Sequence, residues 1–225
     1  AAAKFWGAQQ RFFNQILTSM QMPTVIKQVE QDLADGKAVV MQLVNTNEAI
    51  QNRQIAKTEN EDGSLDDIDL TPKDILMEYL DKSFPVQQYE EYLDDNGNKR
   101  YRAVYDSAGN PVLNRRALEM KEELMAKIGA MKVPEGPLEI VLNHFGVDNV
   151  AEVTGRTRRV VKQKDEYGRE KAVIETRSAS HVAADVKAFM DDKKRILIFS
   201  DAGGTGKSYH ADKTKKNQRH RIHYL

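Results

Sequence analysis

The densest chemistry in the sequence is Asp201-Ala-Gly-Gly-Thr-Gly-Lys-Ser208, directly after the apolar run Arg195-Ile-Leu-Ile-Phe-Ser200. Strand, glycine loop and Lys-Ser come in the order of a phosphate-binding loop. There glycines free the backbone amides to cradle phosphates, the lysine reaches the terminal phosphates and the serine ligates magnesium. Two features oppose that reading. The pattern needs a glycine five residues before Gly206, and Asp201 stands there. Tyr209 to Arg219 also carries no apolar stripe with which a following helix could pack on a sheet. A tight strand-to-loop turn without a ligand is the plainer alternative. A phosphate-loop NTPase or kinase, read from Gly204 to Ser208, is the literal one.

The second group of candidates is basic. Arg156, Arg158, Arg159, Lys162 and Lys164 follow Gly155 with no acidic residue among them. From Asp201 to Leu225 there are six basic residues against two acidic, together with His210, His220 and His223. Basic segments beside glycine-rich turns point to a phosphate-bearing partner, although a charge run alone is more often a solvated face. The other reactive types have plainer roles. No cysteine is present, which excludes disulfides, thiolate metal sites and a cysteine nucleophile. The histidines lack carboxylate partners at ligand spacing, so no metal site is expected. Trp6 and Phe12-Phe13 read as core or domain-interface residues, and nothing sets Ser200-Asp201 beside a histidine as a triad.

The chain of 225 residues carries 34 basic and 34 acidic side chains, but the zero net charge is a cancellation. Thirteen acidic and two basic residues lie between Glu59 and Asp95. No apolar run approaches the roughly 20 residues that cross a bilayer, and the first residues lack the order of a secretion signal. A soluble protein of a reducing compartment, in the cytoplasm and off the membrane, is expected.

The elements that must position these residues alternate between helix and strand, the pattern of an α/β domain with parallel strands. Phe5, Phe12, Phe13, Ile16 and Leu17 mark an amphipathic helix. Pro23 is expected to open a second, which Gly36 stops. Lys37 to Asn45 reads as a strand buried on both faces. Residues 51–71, polar and acidic, predict a mobile loop. Thr71-Pro72 starts a helix that runs to Pro85, and two turn signals, Asp94 to Gly97 and Ser107 to Pro111, predict a small antiparallel meander. Asn114 caps a long helix. Leu138 to Phe145 is helical, Asn149 to Gly155 a short strand, and a basic hairpin turns at Asp165 to Gly168. Ser180 is expected to cap the helix through Met190. Strands follow at 195–200 and 220–225, and no internal repeat is visible.

The ordered motifs resemble the helicase-like C-terminal domain of the strawberry notch family, within superfamily-two helicases. The residues that carry the resemblance are Gly7-Ala-Gln-Gln-Arg-Phe-Phe13, Gly36-Lys-Ala-Val-Val40, Thr154-Gly-Arg156, the glycine loop with Ser208-Tyr-His-Ala-Asp212, and Lys216-Asn-Gln-Arg-His-Arg221. They run in register from residue 7 to 225 and leave the acidic middle as an insertion. The resemblance implies a RecA-like fold with a mainly parallel sheet flanked by helices, plus a helical and small antiparallel insertion. Residues 1–50 would begin the RecA-like domain, 51–136 would be the acidic accessory insertion, and 137–225 the remainder, ending before an arginine-finger motif.

It further implies the second motor domain of an ATP-dependent nucleic-acid helicase or translocase, inert alone and catalytic only beside a preceding RecA-like domain. That partner would hold ATP and Mg2+ in the full-length protein, and none is expected bound here. Gly203, Gly204, Thr205, Gly206, Lys207 and Ser208 would form a coupling loop facing nucleotide and strand. Asn45, Thr46, Thr154, Gly155, Arg156, Arg158 and Arg159 would approach the nucleic-acid backbone, DNA before RNA. Lys207 departs from the aliphatic residue usual in that loop. Family members associated with methylase-like regions imply a bacterial or phage setting. A non-enzymatic interaction or scaffold domain that kept the fold is the alternative, ahead of the phosphate-loop NTPase.

Overall fold

The computed structural model describes residues 2–44, 51, 52, 55, 56, 58, 71–164, 166, 168, 170–200, 204, 206 and 208–225. Asn45, Thr46, Gly203, Thr205 and Lys207 lie outside the described residues, as does most of the expected mobile loop at 51–71. By compactness the chain divides into two units, one of residues 1–10 and 75–132, the other of residues 11–74 and 133–225.

The second unit is built on a parallel sheet. Strands β1 (Ala38–Leu43), β4 (Val150–Val153), β7 (Ile196–Ser200) and β8 (Arg221–Tyr224) stand in the order β4-β7-β1-β8, with Val39 in register with both Ile196 and Ile222. β1 is near-continuously apolar because both its faces are covered. Its alternate residues go to opposite layers. Val39, Met41 and Leu43 pack with Met22, Ile26 and Val29 of helix α1 (Ala2–Ala34) and with Leu138, Val141 and Leu142 of helix α4 (Pro137–Phe145). Ala38 and Val40 join Ala151, Val153 and Leu197 against Phe189 of helix α5 (Ala179–Met190). Helices on both faces of a parallel sheet make this a RecA-like α/β domain, as the alternation predicts.

Two boundaries differ from expectation. Pro23 does not open a second helix; it lies inside α1, which runs unbroken for 33 residues. The proline removes one backbone donor, but the buried Met22, Ile26 and Val29 beyond and beside it hold the helix on the sheet. α5 begins at Ala179, not after Ser180. Its cap is Ser178, whose amide donates to His181 Nδ1 at 3.1 Å and whose hydroxyl lies 2.9 Å from the same nitrogen.

Within its own unit, α2 (Lys73–Ser83) precedes the strands β2 (Tyr89–Leu93) and β3 (Lys99–Ala103), which pair antiparallel. Bridges Gln87–Leu113 and Tyr105–Pro111 extend them into the expected meander. Both of its turns use an aspartate in the same way. Asp94 accepts the amides of Asn96 and Asn98, and Asp106 those of Ala108 and Asn110, with Gly97 and Gly109 at positive φ. Asn114 accepts the Ala117 amide at 3.0 Å and caps α3 (Arg115–Gly129).

Candidate functional site

The carboxyl ends of parallel strands are where open α/β sheets place ligands, and here they carry the glycine loop and the Thr-Gly-Arg segment. β7 delivers the loop from the buried Ser200. Gly204 passes so close over the Phe199 ring that a Cβ there would lie 2.4 Å from Phe199 Cδ2. Gly206 has φ +74°, a conformation costly for any other residue. These two glycines are thus required by sterics and by backbone geometry respectively. The buried Tyr209 ring meets the Phe199 ring at 5.7 Å between centroids and joins the cluster around Phe189 of α5. Burial alone raises the Tyr209 hydroxyl pKa. Ser208 Oγ lies 2.7 Å from His210 Nδ1, and both line an open groove of about 470 Å³ with Val186, Lys187, Met190 and Lys215.

The Lys-Asn-Gln-Arg-x-Arg lead-in to β8 (Arg221–Tyr224) works as a clamp. Asn217 is fully buried; its amide donates to Met190 O and its side chain to Phe189 O at 2.7 Å, tying the loop to the end of α5. Arg221 lies over the Phe189 ring at 5.0 Å and donates to the carbonyls of Tyr209, Asn217 and Arg219. Arg219 pairs with Asp192 at 2.6 Å and donates to Gly36 O at 2.8 Å, pinning the turn before β1. These residues fix where β8 and the loop lie.

The Thr-Gly-Arg segment follows β4, and its side chains turn inward to a buried carboxylate. Glu152 is fully buried in that strand, and three guanidinium groups converge on it. Arg156 binds both carboxylate oxygens, at 2.6 and 3.0 Å; Arg159 adds a contact at 3.0 Å and Arg177 one at 2.9 Å, while Thr154 donates at 2.6 Å. Burial pushes the Glu152 carboxyl pKa up, but Arg156, then Arg177 and Thr154, outweigh it and hold it at about 2. Arg156 also reaches Glu139 of α4 at 2.7 Å and Gln51 at 3.1 Å. Burial raises the Glu139 carboxyl pKa despite that arginine.

Thr154, Arg156 and Arg159, expected at the nucleic-acid backbone, are therefore buried and turned to carboxylates. Their charge is spent inside the molecule, because a carboxylate in a buried strand must be compensated nearby. Of the expected contacts in this segment, Gly155 is exposed and Arg158 half-buried.

Four residues of this cluster, Glu152, Arg177, Asp185 and Lys194, escaped the sequence reading. Arg177 donates to Glu152 O at 2.8 Å and to Asp185, and Asp185 accepts the Glu152 amide at 3.2 Å. Lys194 bridges Asp185 and the carbonyls of Val147 and Val150. Side chains thereby satisfy the open edge of β4 as a neighbouring strand would. The available signal was the lone Glu in Val150-Ala-Glu-Val153, with arginines four and seven residues later.

Among the described residues, no group of His, Asp or Glu could hold a metal ion, and no helix is long and apolar enough to cross a membrane. A parallel sheet covered by helices on both faces is the architecture of a RecA-like α/β domain. Residues 136–225 match the family described as the C-terminal domain on Strawberry notch homologue. Over these residues the chain is similar to a C-terminal helicase domain of the strawberry notch type.

Among similar proteins, strawberry notch homolog 1 of Rattus norvegicus is 27% identical over 98% of this chain and 22% of its own length. Strawberry notch homolog 1 of Gallus gallus is 38% identical over 48% of this chain and 9% of its own, and FORGETTER 1 of Arabidopsis thaliana 31% over 48% and 9%. The chain thus spans about a fifth or less of the length of the curated relatives it matches. These relatives are eukaryotic, and they lend no support to the expected bacterial or phage origin. No solved structure matches the chain.

Proposed function

We propose that this domain is the second motor domain of an ATP-dependent helicase or translocase, acting on DNA before RNA. The observation that carries the reading is the glycine loop at the carboxyl end of β7, held by the Phe199–Gly204 and Phe199–Tyr209 contacts within the family-matched segment. Such a loop offers main-chain groups at close range, which suits phosphate contacts that ignore sequence. Gly203 to Ser208 would couple nucleotide state to the strand. Asn45, Thr46 and Gly155 would lie on the same carboxyl edge of the sheet.

ATP and Mg2+ would be held chiefly by a preceding RecA-like domain, with hydrolysis requiring parts from both. The test is ATP turnover by the full-length protein with and without single-stranded DNA. Strand-stimulated turnover is expected, and Gly204→Val should abolish the stimulation while ATP affinity is kept. Absence of strand stimulation in the wild type would sink the reading. Micromolar ATP affinity of this chain alone, lost in Lys207→Ala, would favour the phosphate-loop alternative instead.

A further inference from the structure

With Arg156, and Arg159 of the antiparallel ribbon β5 (Arg158–Lys164) and β6 (Glu170–Thr176), committed to Glu152, a cation for a phosphate partner has to come from elsewhere on the carboxyl edge of the sheet. Helix α1 supplies one. From Arg11 to Ala34 it is about 36 Å long, whereas the six residues of β1 span about 20 Å. The chain turns at Gly36 between the two, so the helix runs antiparallel to β1 and its earlier turns overhang the carboxyl end of the strand. Under the overhang lies a cavity of about 420 Å³. Arg11, Asn14, Thr18, Gln21 and Val25 line it, and their spacing of three or four residues puts them on one face of α1. Leu43 and Val44 at the end of β1 and Tyr224 at the end of β8 form the sheet side. Leu17 and Val44, also in the lining, are 57% and 81% exposed, so apolar groups stand open to solvent there.

Among the described residues, no hydrogen bond or ion pair engages the side chains of Arg11, Asn14 and Gln21. Each amide carries a donor beside an acceptor, the pattern that matches the edge of a nucleobase. The apolar walls suit the flat faces of such a ring, and the guanidinium suits a phosphate. Arg11 stands one helical turn from Asn14, so a single nucleotide can reach both. A purely apolar protein segment would instead leave the amides and the cation facing it unmatched. We propose that this cavity takes one unpaired base of a nucleic-acid strand, with Asn14 and Gln21 on its edge and Arg11 on its phosphate. The inference rests on the motor-domain reading and adds to it a hold on a base beside the hold on phosphates.

The experiment compares binding of two fluorescent strands of equal length to this chain: oligothymidine, and the same phosphodiester chain with abasic sites throughout. At low salt, wild type should prefer oligothymidine about tenfold, the size of one good amide–base contact. The double variant Asn14→Ala, Gln21→Ala should lose that preference by weakening oligothymidine alone. Arg11→Gln should weaken both strands and make the log–log salt slope shallower by about 0.7, as loss of one phosphate contact requires. All three positions are exposed, so an unchanged urea midpoint is expected for each variant. A wild type that binds both strands equally, or neither, would overturn the assignment, as would a double variant that keeps the preference. Strand-stimulated ATP turnover by the full-length protein, found beside any of those results, would leave the motor reading standing. Sedimentation of this chain as a dimer that Leu17→Glu returns to monomer would give the cavity to a second copy and overturn the base.

Discussion

Replacing Glu152 by Gln tests the charge cluster that holds β4, the ribbon and α5 together. The substitution keeps shape and removes one charge from a residue with no exposed surface. Arg156, Arg159 and Arg177, all nearly buried, would lose their shared carboxylate, and an amide Nε2 would point a donor at donors. Each retains one other acidic partner, Glu139, Glu175 or Asp185 respectively, so the arginines are not wholly orphaned. Breaking a buried pair typically costs about 3–5 kcal/mol.

The pKa gives an independent figure. The gap between the ordinary value of 4.5 and about 2 corresponds to about 3 kcal/mol of stability. Because the folded value is the lower one, that stability is present above pH 4.5 and is lost as pH falls toward 2. The glutamine variant has no such term. Urea unfolding followed by circular dichroism should therefore show a loss of about 3 kcal/mol or more at pH 7, narrowing as the pH is lowered below 4.5. Glu139, shifted upward by burial, has the opposite sign: its penalty on folding is fully present above its folded pKa and is relieved as pH falls, and both proteins carry it. A variant within about 1 kcal/mol of wild type at pH 7, or a deficit just as large at pH 3, would refute the reasoning.

Other consequences follow from the same contacts. Gly204→Ala should cost about 1–3 kcal/mol through its clash with Phe199, and Phe199→Leu should recover part of that loss, read by thermal unfolding of both variants. Asn217→Ala leaves the buried Phe189 carbonyl without its 2.7 Å donor and should cost about 1–3 kcal/mol by urea unfolding, with hydrogen exchange rising in the loop before β8. Ser178→Ala should remove about 1 kcal/mol and expose the first turn of α5 to faster exchange, whereas Ser180→Ala should cost less. Tyr224→Phe removes a hydroxyl that burial and its 2.6 Å hydrogen bond to Asp32 together make resistant to ionisation. NMR titration should then show the Asp32 carboxyl moving back up toward its ordinary range.

Much of the scaffold was written in local pattern. The apolar runs of β1 and β7 announce strands covered on both faces, Asn114 and the two Asp-x-x-Gly turns encode their own hydrogen bonds, and the order of motifs from Gly7 to Arg221 carries the family. Such features are decided within a few residues, by steric preference, capping geometry and side-chain period. The fate of the arginines was not. Arg156, Arg158 and Arg159 are alike in sequence, and only assembly shows that two of them turn inward to a carboxylate on the preceding strand while the ribbon's register leaves the third on the other face. The same holds for Pro23, whose local tendency to end a helix yields to the packing of Met22, Ile26 and Val29 on the sheet, and for Gly204, where the need for glycine comes from the Phe199 ring. Charge compensation and close packing are sums over groups distant in the chain. The sequence could therefore name these residues, but only the folded arrangement assigned which of them turn inward to hold the strands and loops in place.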